Sequence, residues 1–289
     1  MIKFSNSSSP KLTKRVTRLR IKRTNIFTVA ESCLYATELD EKLSLTARAW
    51  QDKLAHELDF SAAEPVRPAA EARFPSALRL SPPRAMPRRG LHTQAGRAAF
   101  FHALAHIEMM AVYLAWDIIY RFRGLPQAFY LDWLQVAAEE AEHFCLLRGL
   151  LRECGMDYGD LPAHPGLWEH ALGTADDVLA RLAVIPRCME ARGLDVTPAM
   201  IEKLNESGDD AGVKVLTRIY QDEIGHVRIG SYWFLLFCRR QGLRPEQHYT
   251  ALVLDHFKGI PKGPFNREAR IIAGFSEFEL NWLETSAHE

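Results

Sequence analysis

Residues 130–151, YLDWLQVAAEEAEHFCLLRGLL, combine an amphipathic helical pattern with an unusual concentration of charge. Apolar residues recur there at the three- and four-residue spacing of a helix that buries one face. Within it, EEAEH at residues 139–143 places three carboxylates and a histidine where the pattern predicts core. A buried carboxylate without a partner costs several kcal/mol or takes up a proton, so we expect a counter-charge nearby.

The spacing Glu-x-x-His occurs twice in the chain, in Glu140 with His143 and in Glu223 with His226. Residues three apart share one face of a helix, so each pair can direct two ligands at one point. A single pair would carry little weight, because surface ion pairs and helix caps have the same spacing. Two further acids support a common site: Glu108 and Glu190 each lie in an apolar helical stripe.

The helical period predicts a chain composed almost wholly of helices. Gly124, Gly155 and Gly242 mark helix ends, and Thr174 with Asp177 gives an N-cap signal. No segment shows sustained strand alternation. The predicted helical segments are 29–59 as one or two helices, 93–122, 126–153, 174–192, 209–240, 246–257 and 265–285, with a Pro-rich connection at 60–92.

The spacing of the acids predicts a four-helix bundle. Glu108 and Glu140 are 32 residues apart, and Glu190 and Glu223 are 33 apart, so each helical hairpin returns its acid to the same height. The connection at about 155–173 is long enough to cross the bundle once. We therefore expect an all-α four-helix bundle with one long crossover and flanking N- and C-terminal helices. Its interior would collect Glu108, Glu140, His143, Glu190, Glu223 and His226.

This ligand set has a chemical logic. Four carboxylates and two neutral imidazoles carry four negative charges, which two divalent cations would balance. Oxygen ligands with two nitrogens suit iron or manganese, and the absence of thiolates from the set makes zinc or copper less natural. We expect two iron ions, or one iron and one manganese.

Here the sequence resembles the ferritin-like di-iron carboxylate proteins over residues 93–240, and more narrowly a ferritin-like family of unassigned function. The narrower likeness covers most of the chain after the basic N-terminus and rests on HIEMMA, FYLDW, EEAEHF, YGDLPAHPGLWEHA, EARGLDVTP and DEIGHVRIG. The resemblance implies that the six residues above are metal ligands. It also implies that Asp222 and Glu139, each directly before a ligand glutamate, orient ligand histidines, although for Glu139 a solvated surface position is an equal alternative.

One region departs from the family pattern. Gly193 and the LDVTP segment at 194–198 predict an interruption of the third helix, with Thr197 and Pro198 opening another short helix. Pro186 predicts a kink four residues before Glu190. Ferritins keep this helix regular, so the departure disfavours iron storage, and a break beside the metals would suit a substrate channel.

Three functions remain open. The first is an oxygen-activating oxidase or hydroxylase, which needs an external electron donor such as a reductase or ferredoxin. Its substrate would be a small molecule or RNA, since a weaker likeness links the chain to di-iron tRNA hydroxylases. The second is iron handling or peroxide detoxification of the ferritin or rubrerythrin kind. The third is a non-catalytic binding protein that uses metal to hold its bundle.

Composition bounds the remaining expectations. The 289 residues carry a formal net charge of zero, which disfavours general nucleic-acid binding. Five cysteines without CxxC spacing predict a reducing, cytoplasmic location, and no membrane partner is expected. We predict a basic, disordered tail at 1–24, with an RNA-contacting arm or a transit segment as alternatives, followed by a single domain at 25–289. The apolar segment 232–237 suits either core or a homodimer face.

Several other residues near the predicted ligands have ordinary explanations. We interpret His102 and His106, one helical turn apart, as a packing or exposed pair rather than as ligands. We expect Cys145 and Cys188 to be small core residues, and the tyrosines of the bundle to serve packing.

Overall fold

The computed structural model describes residues 23–62, 74–75, 78–82, 90–257 and 259–287. The prediction of a disordered tail at 1–24 therefore falls, up to residue 22, outside the described residues. The described part is an all-α helical bundle, as predicted. Its helices are α1 (Ile26–Tyr35), α2 (Leu39–Leu54), α3 (Gln94–Arg121), α4 (Gln127–Glu153), α5 (Gly166–Gly173), α6 (Val178–Val184), α7 (Ala191–Glu206), α8 (Asp210–Arg240), α9 (Pro245–His256), α10 (Arg267–Ile272) and α11 (Glu277–Ser286), with a π-helical segment at Ile185–Glu190.

Four long rods form the bundle: α3, α4, α8, and the continuous run of α6, the π-helical segment and α7. The Gln94 side chain donates to the Cys154 carbonyl, which places the start of α3 beside the end of α4. Arg97 forms an ion pair with Asp209, the N-cap of α8, so α3 and α8 begin at the same end of the bundle. The run from α6 to α7 comes before α8 in the chain and ends where α8 begins. This run, the third rod in chain order, therefore lies parallel to α4, which confirms a single crossover.

The crossover between α4 and α6 lies over α3. Tyr158 stacks on His102 and His106, and the His106 ring bonds to the Tyr158 hydroxyl at 2.9 Å and the His164 carbonyl at 3.0 Å. At the far end Arg181 binds Asp117, near the end of α3. The crossover contains α5, which the sequence analysis did not predict.

The third rod begins later than predicted. Asp177 is the N-cap and accepts from the amides of Leu179 and Ala180, whereas Thr174 follows the end of α5. Pro186, which predicted a kink, lies at the start of the π-helical segment. Proline has no N–H to donate, and the wider turn accommodates the lost bond.

The predicted interruption after Gly193 is wrong. The helix α7 continues from Ala191 to Glu206 with Pro198 inside it. A proline in a helix leaves the carbonyl four residues earlier without its partner. That carbonyl belongs to Leu194, and it accepts a hydrogen bond from the Asn266 side chain at 3.2 Å. A distant loop therefore supplies the bond that the proline removes.

The π-helical segment packs closely on α8. A Cβ atom on Gly230 would lie 2.4 Å from Cβ of Pro186, so this position of α8 requires glycine. The close approach holds the π-helical segment, and with it Glu190, against the helix that carries Glu223.

The flanking helices cover the bundle from both ends of the chain. The N-terminal region forms two helices, α1 and α2, which pack on α3 and α4. Two short parallel strands, β1 (Thr24–Asn25) and β2 (Leu58–Asp59), precede and follow them. The helix predicted at 265–285 is divided into α10 and α11 because Gly274 has a φ of 94° and Ser276 starts a new helix with a capping box.

The helix α3 is both long and apolar. By length and composition it is the one helix of the described residues that passes the criteria for a membrane span, yet 83% of its most apolar window is buried inside the protein. Its apolar faces therefore serve the core of the bundle.

Candidate metal centre

The centre of the bundle collects acids and histidines from all four rods. Glu108 comes from α3, Glu140 and His143 from α4, and Glu223 from α8. These four are buried, and one nitrogen or oxygen atom from each lies within 4.8 Å of the others. The His143 Nδ1 atom is 3.3 Å from Glu108 Oε2 and 3.6 Å from Glu140 Oε2.

The remaining two predicted ligands adjoin this cluster. His226 of α8 is fully buried, and its Nδ1 lies 3.0 Å from Glu140 Oε1 and 3.4 Å from Glu223 Oε1. Glu140 thus lies between the two histidines, whose ring centroids are 5.7 Å apart. Glu190, at the end of the π-helical segment, lines the same cavity as the other three glutamates.

Each of the two histidines donates a hydrogen bond to an acid on the other helix, and each of these acids directly precedes a glutamate of the cluster. His143 of α4 donates from Nε2 to Asp222 of α8 at 3.1 Å, and His226 of α8 donates from Nε2 to Glu139 of α4 at 2.8 Å. Each Nδ1 therefore faces the acid cluster. Sequence reasoning anticipated both acids but not the crossed pairing, which arises because α4 and α8 lie side by side.

The two orienting acids are themselves supported. Arg218 donates to Asp222 at 2.6 Å, and Gln135 donates to Glu139 at 3.0 Å. Arg218 and Gln135 lie four residues before the acids they contact, on the same helix face. This four-residue spacing could have predicted both supporting contacts from the sequence.

Burial and mutual repulsion disturb the titration of the cluster. Burial and the nearby Glu140 charge raise the pKa of Glu108 to about 8. Burial and the charges of Glu223 and Glu140 raise the pKa of Glu190 well above its usual value. Although burial alone would lower it, contact with Glu108 and Glu140 raises the pKa of His143 to about 11. Within the part of the chain that the structure describes, only protons are thus available to balance these acids.

Several buried atoms of the cluster form no hydrogen bond of acceptable geometry, although the histidine Nδ1 atoms lie 3.0–3.6 Å from glutamate oxygens. The atoms without a hydrogen bond are both carboxylate oxygens of Glu140, Oε2 of Glu190, and Nδ1 of His143 and of His226. Native proteins leave few buried polar atoms unsatisfied, so such a concentration requires an explanation. Among the described residues, no lysine or arginine forms an ion pair with any of the four glutamates.

The donor set fits divalent cations. Unpartnered carboxylate oxygens and imidazole nitrogens facing one another are metal-ligand atoms, and the other nitrogen of each histidine is fixed by a carboxylate, as is usual for metal-bound histidines. The buried cluster can therefore hold a metal ion, and its oxygen and nitrogen donors suit iron or manganese.

A cavity of about 520 Å³ opens directly onto the cluster. The four glutamates form part of its wall, and the wall is otherwise mostly apolar, with α3, α7 and the segment between α9 and α10 as the main contributors. Such a volume is within the range of small-molecule sites. The sequence suggested a channel from a helix break, whereas the cavity borders an unbroken α7.

The histidines and cysteines that we did not predict as ligands pack or form hydrogen bonds as expected, except for one cysteine. His102 and His106 are buried and hydrogen-bonded to the crossover. Cys188 is buried beside the Tyr249 hydroxyl. Cys145 is exposed, so its assignment to the core is wrong; it lies on the outer face of α4, two residues beyond His143.

Comparison with known proteins identifies a family but no activity. Residues 35–281 match the family described as "Protein of unknown function (DUF455)". A Haemophilus influenzae relative named "Uncharacterized protein" is 43% identical over 219 residues, which cover 73% of this chain and 76% of the relative. No solved structure matches the chain. Because both matches span most of the sequence, the protein belongs to the DUF455 family.

Proposed function

We propose that the protein is a ferritin-like di-iron, or iron–manganese, oxidoreductase that uses dioxygen to oxidise a substrate bound in the adjoining cavity. The ligands would be Glu108, Glu140, His143, Glu190, Glu223 and His226. When bound, such a metal pair supplies the electrons and Lewis acidity that reduce dioxygen. The observation that carries the proposal is the set of unpartnered, mutually facing carboxylate and imidazole atoms in the bundle interior.

The chain's own residues prepare this site. Asp222 and Glu139 hold the imidazoles with Nδ1 toward the glutamates, which fixes the tautomer that can bind a cation. Glu140 lies between the two histidines and would be among the residues that hold the metal. A substrate that fills the mostly apolar cavity would exclude water from that side of the cluster.

The proposed reaction needs an outside reductant. Hydroxylation of a C–H bond consumes one dioxygen, two electrons and two protons, and yields the alcohol and one water. No flavin, nicotinamide or iron–sulfur motif is recognisable in the sequence, so the electrons would come from a reductase or ferredoxin partner. A cytoplasmic location and a homodimer remain predictions, as does an RNA substrate.

The cavity favours substrate oxidation over iron storage or peroxide removal. An enzyme that oxidises an organic molecule needs an enclosed apolar space beside the metals, and this chain has one bounded by the ligand glutamates themselves. Iron mineralisation requires no such apolar site. A metal used only to hold the bundle would not need it either.

The test is iron uptake combined with oxygen consumption. Anaerobic protein is titrated with ferrous iron and mixed with dioxygen in a stopped-flow spectrometer. We expect uptake to stop at about two irons per chain, with rapid oxygen consumption that ends when both irons are oxidised. Addition of an electron donor should then restart oxygen consumption.

A matched pair of variants controls the test. Glu108→Gln removes a proposed ligand, and Glu142→Gln removes an exposed acid of the same EEAEH segment. Oxygen consumption should be lost in the first variant and unchanged in the second. Continued iron uptake far beyond two per chain would instead support storage, and equal behaviour of both variants and the wild type without iron uptake would refute a metal centre.

A further inference from the structure

The cavity beside the metal centre has an uneven distribution of charge. Its buried end carries the four glutamates, and three cationic side chains, Arg192, Lys262 and Arg270, also line it. The rest of the wall is apolar, with Leu104 and Met200 as examples. The cavity therefore offers an apolar space with acids at one end and cations elsewhere on its wall.

The exposed lining residues mark where the cavity opens to solvent. Ile107 is 45% exposed, the Arg192 side chain is 41% exposed, and Lys262 is exposed. Arg192 is fixed there because it donates to the carbonyls of Lys262 and Pro264 at 2.8 and 3.1 Å. A molecule that enters the cavity therefore meets positive charge first.

Arg270 supplies a second, independent observation. It is 1% exposed, and its Nε and Nη2 atoms bind the Asp195 carboxylate at 2.9 and 2.7 Å. Its Nη1 atom is buried and has no hydrogen-bond partner. A buried guanidinium nitrogen without an acceptor is costly, and an acceptor carried by a ligand in the cavity would satisfy it.

The charges near the opening do not cancel. Asp195 pairs with Arg270 and lies 3.6 Å from Arg192, and among the described residues Lys262 forms no ion pair with an acid. A cavity opening with surplus positive charge attracts an anion. The glutamates at the buried end repel the same anion, so its charged group should remain near the opening.

We propose that the cavity binds a monoanionic amphiphile, with its anionic head at Arg192, Lys262 and Arg270 and its apolar body directed toward the glutamates. The identification of the amphiphile as the substrate rests on the proposed function. The binding of the amphiphile depends on the cavity alone. The orientation places an unactivated C–H bond, rather than the head group, next to the metal ligands.

Gly193 provides a way to close the cavity without touching the metal centre. It lines the cavity, and a Cβ atom added there would meet no atom within 4 Å. A leucine at this position would fill the space meant for the apolar body and would favour the helix. Gly149 of α4 is a matched control, because it is exposed, helical and equally open around its Cβ position.

The experiment measures binding of decanoate, decanol and decyltrimethylammonium by isothermal titration calorimetry, in metal-free and iron-loaded protein. We expect decanoate to bind at least about tenfold more tightly than decanol, as one charge-assisted hydrogen bond allows, and the cation to bind most weakly. Gly193→Leu should weaken decanoate binding at least about tenfold, and Gly149→Leu should leave it unchanged. Lys262→Met should reduce the preference for decanoate over decanol.

Three results would overturn the inference: equal binding of decanoate and decanol, binding that Gly193→Leu leaves unchanged, or binding that requires iron and ignores Lys262→Met. The last would place the head group at the metals. Failure of the proposed function would be seen in a different experiment, as a lack of iron uptake and oxygen consumption. Charge-selective binding in a protein that takes up no iron would uphold the amphiphile site and refute the oxidoreductase.

Discussion

Two regions of the bundle bury carboxylates and balance them in different ways. Toward the ends and outer layer, each buried acid has its own arginine: Asp117 binds Arg181 at 2.5 Å and Glu279 binds Arg187 at 2.8 Å. In the centre, four glutamates face one another and two histidines.

The two regions differ in whether a buried carboxylate has an arginine partner. Burying an ion pair is tolerable when both partners are present, whereas burying like charges together is not. The described residues place arginines beside the other buried acids but none in an ion pair with the four glutamates, so this lack of pairing distinguishes the site. A counter-charge other than protons would have to come from outside the described residues, and divalent cations match the donor atoms of the cluster.

The largest effect should follow from breaking an arginine pair. Asp117→Asn leaves Arg181 buried without its carboxylate and also removes the contact to Arg121. We expect a loss of about 3–5 kcal/mol in the free energy of unfolding, measured by urea denaturation. Asp40→Ala, at an 87% exposed acid paired with Arg148, should change it by less than about 0.5 kcal/mol. An equal loss of unfolding free energy in the two variants would contradict the distinction between buried and exposed ion pairs.

Lys42 is a buried cation that pairs with no carboxylate of the described residues, so its contribution to stability can be tested through pH. Lys42 is 1% exposed, donates to the Cys33 carbonyl and lies over the Tyr113 ring. Burial lowers its pKa from 10.5 to about 8. The unfolded chain thus binds more protons between pH 8 and 10.5, so stability from this residue rises with pH across that window, by about 1–3 kcal/mol.

Comparison of wild type with Lys42→Met isolates this contribution. The difference in the free energy of unfolding between the two proteins should change by that amount from pH 8 to 10.5, because the variant lacks the titrating amine. A difference that stays constant across this pH range would mean that Lys42 titrates normally and is not desolvated.

The smallest predicted effect concerns the acids that orient the histidines. Asp222→Asn and Glu139→Gln should each weaken metal affinity about 10–100-fold, measured by competition with a chelator. Glu142→Gln, at an exposed acid, should leave affinity unchanged. If Glu139→Gln behaved like Glu142→Gln while Asp222→Asn did not, the crossed arrangement would be functional on one side only.

Local signals made much of the fold predictable. Thr93 caps α3, Gly155 with a φ of 82° follows α4, and both long helices begin and end within a residue or two of the predicted positions. The nearly equal spacing of the glutamates predicted acids at one level, and the structure brings Glu108, Glu140 and Glu223 together. These features depend on residues close together in the chain or on helix rise alone.

The features that the sequence did not reveal depend on distant residues. The continuity of α7 through Pro198 relies on Asn266, and the position of the π-helical segment relies on Gly230 of α8. The pairs of Asp117 with Arg181 and of Glu279 with Arg187 join residues 64 and 92 positions apart. No single-sequence pattern shows which distant partner will arrive, so such contacts require the folded structure.

The most direct test of the central claim is the metal content of the purified protein, measured by inductively coupled plasma mass spectrometry after expression with iron and manganese. The account predicts about two ions per chain in the wild type and in Glu142→Gln, and a loss of most of this metal in Glu108→Gln and Glu223→Gln. Wild-type protein that retains less than about half an ion per chain would mean that the glutamate cluster is balanced by protons alone, and the account would be wrong.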